Sequence, residues 1–198
     1  MTATNDRIRG LIFDCDGTLA DSMPLHWRAW QRVARRHGFQ FAEERFHALA
    51  GVPSRDIVRR LNREQGLSLD PIAVAKDKEV EYLPLIPQIE PISAVVAIAR
   101  ENRGRRRMAV ASSGTRHVTE RVLEHLGLRG WFAAVVTTED VVRPKPAPDI
   151  FLEAARRMGV PPRHCRAFED TDLGLEAIRA AGMEAVDVRP MLSGPAFR

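Results

Sequence analysis

The chain has 198 residues, of which 44% are hydrophobic and 28% charged, and its formal net charge is +4. This length suits one hydrophobic core, or one core with a small inserted domain, and the composition is typical of a globular protein in water. No apolar run approaches the length that a bilayer requires, and the first ten residues lack the apolar segment of an export signal. We therefore expect a cytoplasmic protein that binds no membrane.

The basic charge is spread evenly along the chain. Residues 22–90 and the remainder each carry a net charge of +2, and the one basic run, Arg103 to Arg107, is expected in a loop. A surface that binds nucleic acid concentrates its positive charge. The sequence therefore predicts no nucleic-acid partner, and it leaves small anionic molecules open as partners.

Short apolar runs alternate with helical patterns along most of the chain. Strands are predicted at 10–14, 107–113, 132–140, 165–170 and 184–188. Helices are predicted at 92–102, 118–128, 148–159 and 173–182. This alternation is typical of an α/β fold, in which helices cover both faces of a parallel sheet.

Residues 22–90 interrupt the alternation. They contain four helical patterns without a clear strand between them, at 24–38, 42–51, 54–66 and 70–83. The stretch 84–91 contains three prolines and is predicted to be a linker. We expect a small all-helical domain at 22–90, inserted into a sheet domain formed by residues 1–21 and 91–198.

Charged or hydroxyl side chains follow four of the predicted strands. In chain order they are Asp14, Asp16, Ser112, Ser113, Lys145, Glu169 and Asp170. Ligands of an open parallel sheet bind beyond the carboxyl ends of its strands, so we expect these groups to share one crevice. Clustered carboxylates repel one another, and a hard divalent cation such as Mg²⁺ removes that cost. Lysine and serine nearby suit a phosphoryl group.

Each feature also has an ordinary explanation when it is taken singly. The DCDG stretch fails as a calcium loop because Gly17 stands at the fourth position of that loop and not at the sixth. Asp16 and Gly17 could form a simple turn, Ser112 could merely follow a strand, and Lys145 could lie on the surface. Residues 169–170 could cap the next helix. The ordered set is more specific than any of its members.

The motifs DCDGTLADS, RPKPAPDIF and FEDTDLGLEAIRAAGM, together with the strand-end serine, resemble the haloacid dehalogenase superfamily. The resemblance covers nearly the whole chain. It is narrower to the β-phosphoglucomutase-like branch, which has a helical cap after the first motif, and to the bacterial fructose-1-phosphate phosphatases within it. It implies a Rossmann-like core with a helical cap, the cofactor Mg²⁺, a small phosphorylated sugar as substrate, and a monomer.

The resemblance also implies roles in catalysis. Asp14 would be the nucleophile that becomes an aspartyl phosphate, and Asp16 would be the general acid and base. Ser112 and Lys145 would bind the oxygens of the transferred phosphoryl group. Carboxylates are known phosphoryl acceptors, and the charged transition state of phosphoryl transfer is stabilised by cations, so the chemistry agrees with these roles.

The implied metal ligands are Asp14, Asp170 and the backbone carbonyl of Asp16, with Glu169 beside the ion. The residues expected to contact substrate are Gly17, Ser113, His26, Arg55 and Lys78. The last three lie in the cap, and each has an ordinary alternative: a half-buried helix histidine, a solvated arginine and a surface lysine.

Four functions are weighed. The first is a Mg²⁺-dependent phosphatase of a small sugar phosphate, with fructose 1-phosphate as the first candidate substrate. The second is a β-phosphoglucomutase, which interconverts β-glucose 1-phosphate and glucose 6-phosphate and needs a distal phosphate site in the cap. A signalling receiver domain lacks a large helical insert and an acid placed like Asp16. A nucleic-acid-binding protein would not explain the order of the motifs.

Overall fold

The computed structural model describes residues 8–192. Within that range a parallel sheet is flanked by helices, and a ribbon of two short strands lies beside it. The strands are β1 (Gly10–Phe13), β2 (Ala20–Asp21), β3 (Glu90–Pro91), β4 (Arg107–Ser112), β5 (Ala134–Thr137), β6 (Cys165–Glu169) and β7 (Glu184–Asp187). The α-helices are α1 (Met23–His37), α2 (Glu43–Ala48), α3 (Ser54–Gln65), α4 (Pro71–Tyr82), α5 (Ser93–Asn102), α6 (Arg116–His125), α7 (Asp149–Met158) and α8 (Asp172–Ala180).

The sheet has the strand order β5-β4-β1-β6-β7, and all of its pairs are parallel. The strand β1 lies at the centre, and its residues alternate between two cores. Ile12 packs with residues of α7 and α8 on one face, whereas Phe13 packs with residues of α5 and α6 on the other. A strand that is covered on both faces must be apolar throughout, which explains the sequence GLIF. The predicted α/β fold with a helical insert is confirmed.

The helices α1 to α4 lie between β2 and β3 and have an apolar core of their own, in which Trp30, Val33, Leu61 and Val74 are buried. The helices α1 and α3 both pack against α4. This separate core supports the division of the chain at 22–90, which stays a prediction. We call α1 to α4, with the loops that join them, the cap. No helix of the described residues combines the length and the apolar character needed to cross a membrane.

Several predicted boundaries differ from the structure; the helix predicted at 118–128, for example, spans Arg116–His125. Within the proline-rich stretch that was predicted to be a linker, residues Leu83–Gln88 form a 3₁₀ helix, and β3 then pairs antiparallel with β2. The strand predicted at 132–140 ends at Thr137, where a capping box between Thr137 and Asp140 starts a 3₁₀ turn. The helix predicted at 42–51 ends at Ala48.

Candidate active site

The carboxyl ends of β1, β4 and β6 bring a buried lysine and two carboxylates together. The Nζ atom of Lys145 lies 2.6 Å from Oδ1 of Asp14 and 2.7 Å from Oε2 of Glu169. It also donates a hydrogen bond to the backbone carbonyl of Ala111, at 3.2 Å. The three charged side chains are almost wholly buried. The lysine therefore joins the ends of three strands through one ammonium group.

Both carboxylate oxygens of Glu169 are engaged. While Oε2 binds Lys145, Oε1 accepts hydrogen bonds from the backbone N–H groups of Asp170 and Thr171 and from the Thr171 hydroxyl. The Asp170 carboxylate accepts a hydrogen bond of 2.7 Å from the hydroxyl of Thr18. Glu169 thus shapes the loop after β6 and orients Lys145.

A third carboxylate adds electrostatic repulsion to the cluster. Oxygen atoms of Asp14, Glu169 and Asp170 lie within 4.8 Å of one another. Burial, and next the charge of Glu169, raises the pKa of Asp14 well above its usual value despite Lys145. Burial and then the charge of Glu169 also raise the pKa of Asp170, to about 7. A hard divalent cation would relieve this repulsion, and three carboxylates without histidine or cysteine form a donor set that suits Mg²⁺.

The turn after β1 requires a glycine. Gly17 has a φ of +82°, and a Cβ atom there would lie 2.3 Å from Oδ2 of Asp170. Any side chain would displace this carboxylate, so the residue both permits the left-handed backbone and leaves room for the acid.

The side chain of Asp16 begins a second polar network, which extends into the cap. Its Oδ1 atom accepts hydrogen bonds from the hydroxyl of Ser22, at 2.6 Å, and from Nε2 of His26, at 2.9 Å. The Nζ atom of Lys78 lies 2.6 Å from Nδ1 of His26. An ammonium group only donates, so Nδ1 accepts and Nε2 carries the proton that faces Asp16. The ring of Tyr82 stacks on that of His26, with centroids 3.9 Å apart.

This network lowers the pKa of its acid. Burial alone would raise the pKa of Asp16, but its interaction with His26 and the hydrogen bond from Ser22 outweigh burial and lower the pKa to about 2. Burial lowers the pKa of Lys78 to about 8. Burial and then the charge of Lys78 lower the pKa of His26. Asp16 is therefore an ionised carboxylate in this arrangement.

The two networks face a cavity of about 90 Å³ between the sheet and the cap. From the sheet domain, the residues that line it are Asp14, Asp16, Ser113, Gly114, Glu169 and Thr171. From the cap, they are Met23, His26, Trp30, Phe46, Leu49, Ala50, Gly51, Val52, Ser54, Ile57 and Lys78. Asp14 and Asp16 thus face a largely apolar cap.

Six residues predicted for the site line this cavity: Asp14, Asp16, His26, Lys78, Ser113 and Glu169. Lys145, Asp170 and Gly17 do not line it but lie beside its carboxylates. The other two predicted residues lie outside this cavity. Ser112 is buried behind it, where its hydroxyl oxygen accepts hydrogen bonds from the backbone N–H of Gly114 and the hydroxyl of Thr119. Arg55 is exposed and is not among the residues that line the cavity, whereas its neighbour Ser54 is. Lys78, for which a surface position was the alternative, is buried.

Several site residues were missed by the sequence analysis. Thr18 and Ser22 belong to the quoted first motif, and their hydroxyl groups could have been considered as partners of the acids. Thr171 likewise belongs to the quoted third motif and donates hydrogen bonds to Glu169, two residues before it. Tyr82 and Ser54 had no such signal, because only the packing of the cap brings them to the site.

Comparisons with known proteins agree with this geometry. The haloacid dehalogenase-like hydrolase family matches residues 8–182. The fructose-1-phosphate phosphatase YqaB of Escherichia coli strain K12 is 44% identical over 185 residues, which are 93% of this chain and 98% of that protein. The β-phosphoglucomutase of Bacillus subtilis strain 168 is 30% identical over 200 residues, which cover 93% of this chain and 86% of that protein.

Solved structures show the same architecture. The crystal structure of CbbY from Rhodobacter sphaeroides in complex with phosphate superposes with a TM-score of 0.82 and 26% identity, over 90% of this chain and 84% of that one. The family match spans most of the chain, and the acids, lysine and inserted cap occur in the order that the motifs predicted. The chain therefore belongs to the haloacid dehalogenase-like hydrolases and is an enzyme of that family.

Proposed function

We propose that the protein is a Mg²⁺-dependent phosphatase of a small sugar phosphate, with fructose 1-phosphate as the first candidate, and that it works as a cytoplasmic monomer. The observation that carries the proposal is the Asp14 carboxylate, which faces the cavity, is held by Lys145, and has the second acid Asp16 two residues away. The similarity to a fructose-1-phosphate phosphatase supports this substrate.

In the first step, Asp14 attacks the phosphorus atom and the bond from phosphorus to the sugar oxygen breaks. Lys145 donates a hydrogen bond to Oδ1 of Asp14 and so orients the carboxylate for this attack. The departing sugar oxygen needs a proton, which Asp16 supplies. Asp16 takes up that proton because the negative charge of the bound phosphoryl group raises its pKa. Water then hydrolyses the aspartyl phosphate, and Asp16 as a carboxylate accepts the proton of that water.

The residues that would hold Mg²⁺ are Asp14, Asp170 and the backbone carbonyl of Asp16. Glu169 would stand beside the ion, because both of its oxygens already serve Lys145 and the loop after β6. The cation would offset the charge on the phosphoryl oxygens. Gly17 and Ser113 would lie against the substrate, and Ser112 would hold the loop at Gly114 in place.

The second candidate is β-phosphoglucomutase activity, which is favoured by the similarity to the Bacillus subtilis enzyme and by a buried lysine, Lys78, in the cavity wall. A mutase must hold a bisphosphate and therefore needs a second phosphate site in the cap. The exposed position of Arg55 weighs against that site.

A parallel assay tests the two candidates. The enzyme is given fructose 1-phosphate and β-glucose 1-phosphate with Mg²⁺, and both phosphate release and sugar products are measured. Rapid phosphate release from fructose 1-phosphate is the expected result. Glucose 6-phosphate that forms from β-glucose 1-phosphate with little free phosphate would instead establish a mutase. The Asp14→Asn variant is the control for contaminating phosphatases.

A further inference from the structure

The cap side of the cavity consists mainly of apolar side chains. We call Met23, Trp30, Phe46, Leu49, Val52 and Ile57 the cap wall. Four of these side chains, from Trp30, Phe46, Leu49 and Ile57, are buried in the apolar core of the cap itself. Packing therefore holds these side chains in place, and they do not readily move aside to admit water or a charged side chain.

Among the described residues that line the cavity, the cap contributes one cationic group, the ammonium of Lys78, and one histidine, His26, whose Nδ1 atom accepts a hydrogen bond from that ammonium. Through Nε2 of His26 the pair reaches the acid Asp16. Both residues therefore lie near Asp16, where the bond between the phosphoryl group and the sugar breaks, and not beside the far end of the sugar. Arg55 is exposed, with its Nε atom 4.0 Å from Oδ2 of Asp56.

We propose that the cap wall makes the enzyme selective for sugar monophosphates and rejects the corresponding bisphosphates. This inference rests on the proposed phosphatase function and names the class of substrate for the same site. A second phosphoryl group carries a charge of roughly −1.5 to −2. Against the cap wall that charge would lose its water and gain no cation in return, which is strongly unfavourable. A neutral sugar end avoids this cost, and its carbon atoms pack on apolar residues.

Ser54 is the point at which this selectivity can be changed. It is the first residue of α3, lines the cavity, and stands among the apolar residues of the cap. An arginine at this position would supply the missing cation on the cap side. The Ser54→Arg variant should therefore accept a bisphosphate better, whereas Ser54→Gln adds bulk and hydrogen bonds without charge and serves as the matched control.

The experiment measures initial rates of phosphate release with Mg²⁺ for fructose 1-phosphate and fructose 1,6-bisphosphate. In the wild-type enzyme we expect kcat/KM for the bisphosphate to be at least about 100-fold lower. As a competitive inhibitor of fructose 1-phosphate hydrolysis, the bisphosphate should be correspondingly weak. The ratio of the two kcat/KM values should move at least about tenfold toward the bisphosphate in Ser54→Arg and stay unchanged in Ser54→Gln.

The possible failures can be told apart. If the wild-type kcat/KM for the bisphosphate lies less than about 100-fold below that for fructose 1-phosphate, the selectivity is overturned and the phosphatase function stands. If the wild-type enzyme releases phosphate from neither compound, both proposals fall. The substrate ratio is internal to each variant, so a general loss of activity does not affect it. Should Ser54→Arg fail to fold, the wild-type comparison still decides the matter.

Discussion

The sheet domain and the cap meet at the same cavity, but their polar groups are arranged in opposite ways. In the sheet domain, Asp14, Lys145 and Glu169 are buried and bonded to one another at the ends of strands. In the cap, most charged side chains lie outside in exposed pairs, such as Arg59 with Asp56, and the inside is apolar. We therefore propose that the sheet domain provides the chemistry and that the cap provides the fit to the substrate. Substitutions in the sheet domain should therefore lower kcat, whereas substitutions in the cap should mainly change KM or substrate preference.

The largest effect is expected for Asp14→Asn. The amide has nearly the shape of the carboxylate but cannot serve as the phosphoryl acceptor, so kcat should fall by roughly 10⁴-fold or more. Phosphate release measures the loss, and an unchanged circular dichroism spectrum shows that the fold is retained. Turnover above about 1% of the wild-type rate would contradict the nucleophilic role.

A somewhat smaller effect is expected for Asp16→Asn, since general acid–base catalysis contributes roughly 10²- to 10⁴-fold in rate. The loss should appear in kcat rather than in KM. It should be smallest for a substrate with a good leaving group, such as p-nitrophenyl phosphate, because that group leaves without a proton. Equal losses for this compound and a sugar phosphate would argue against proton transfer by Asp16.

His26→Ala tests the hydrogen bond by which the cap contacts Asp16 of the sheet domain. His26 helps to hold the pKa of Asp16 at about 2, so its removal should raise that pKa. Asp16 would then become protonated, and stop acting as a base, at a higher pH than in the wild-type enzyme. The acid limb of the plot of kcat against pH should therefore shift to higher pH. We expect kcat to fall roughly 10- to 100-fold. The control is His37→Ala, because His37 lies on the same helix but pairs with Asp77. If the acid limb of His26→Ala lies at the same pH as that of the wild-type enzyme, His26 does not control the pKa of Asp16.

Gly51→Ala tests the contact of the cap with the sheet domain. Gly51 has a φ of +81°, and a Cβ atom there would lie 2.9 Å from Oγ1 of Thr171. The clash should hold the cap away, so that KM rises about fivefold or more, while Asp14 and Lys145 stay in place. The matched control is Gly38→Ala, because Gly38 has a φ of +72° and no neighbour within 4 Å of the added atom. Both variants should lose stability, but only Gly51→Ala should raise KM.

The smallest effect is expected for Arg55→Ala. Its exposed side chain does not line the cavity, so kcat/KM for a sugar monophosphate should change less than about twofold. A loss of more than tenfold, measured beside the wild-type enzyme, would bring Arg55 back as a substrate contact and would weaken the division of roles between the two regions.

Local patterns in the sequence determined the alternation of strands and helices, the position of the helical insert, and the acids Asp14 and Asp16 at the end of β1. This information is local, because a buried parallel strand must be apolar throughout and an amphipathic helix must repeat every ~3.6 residues. The motif order also indicated that Lys145 and Glu169 would join those acids, since strand ends of a parallel sheet meet at one edge.

Tertiary structure alone decided the pairing of the two short strands and which cap residues line the cavity. The pairing of β2 with β3 joins two-residue strands that are far apart in the chain, and such short strands have no detectable period. Ser54 and Arg55 are adjacent in sequence, but successive residues of a helix differ in direction by about 100°, so only packing chooses which one lines the cavity. Glu169 likewise became a partner of Lys145 because folding brings their atoms within 2.7 Å.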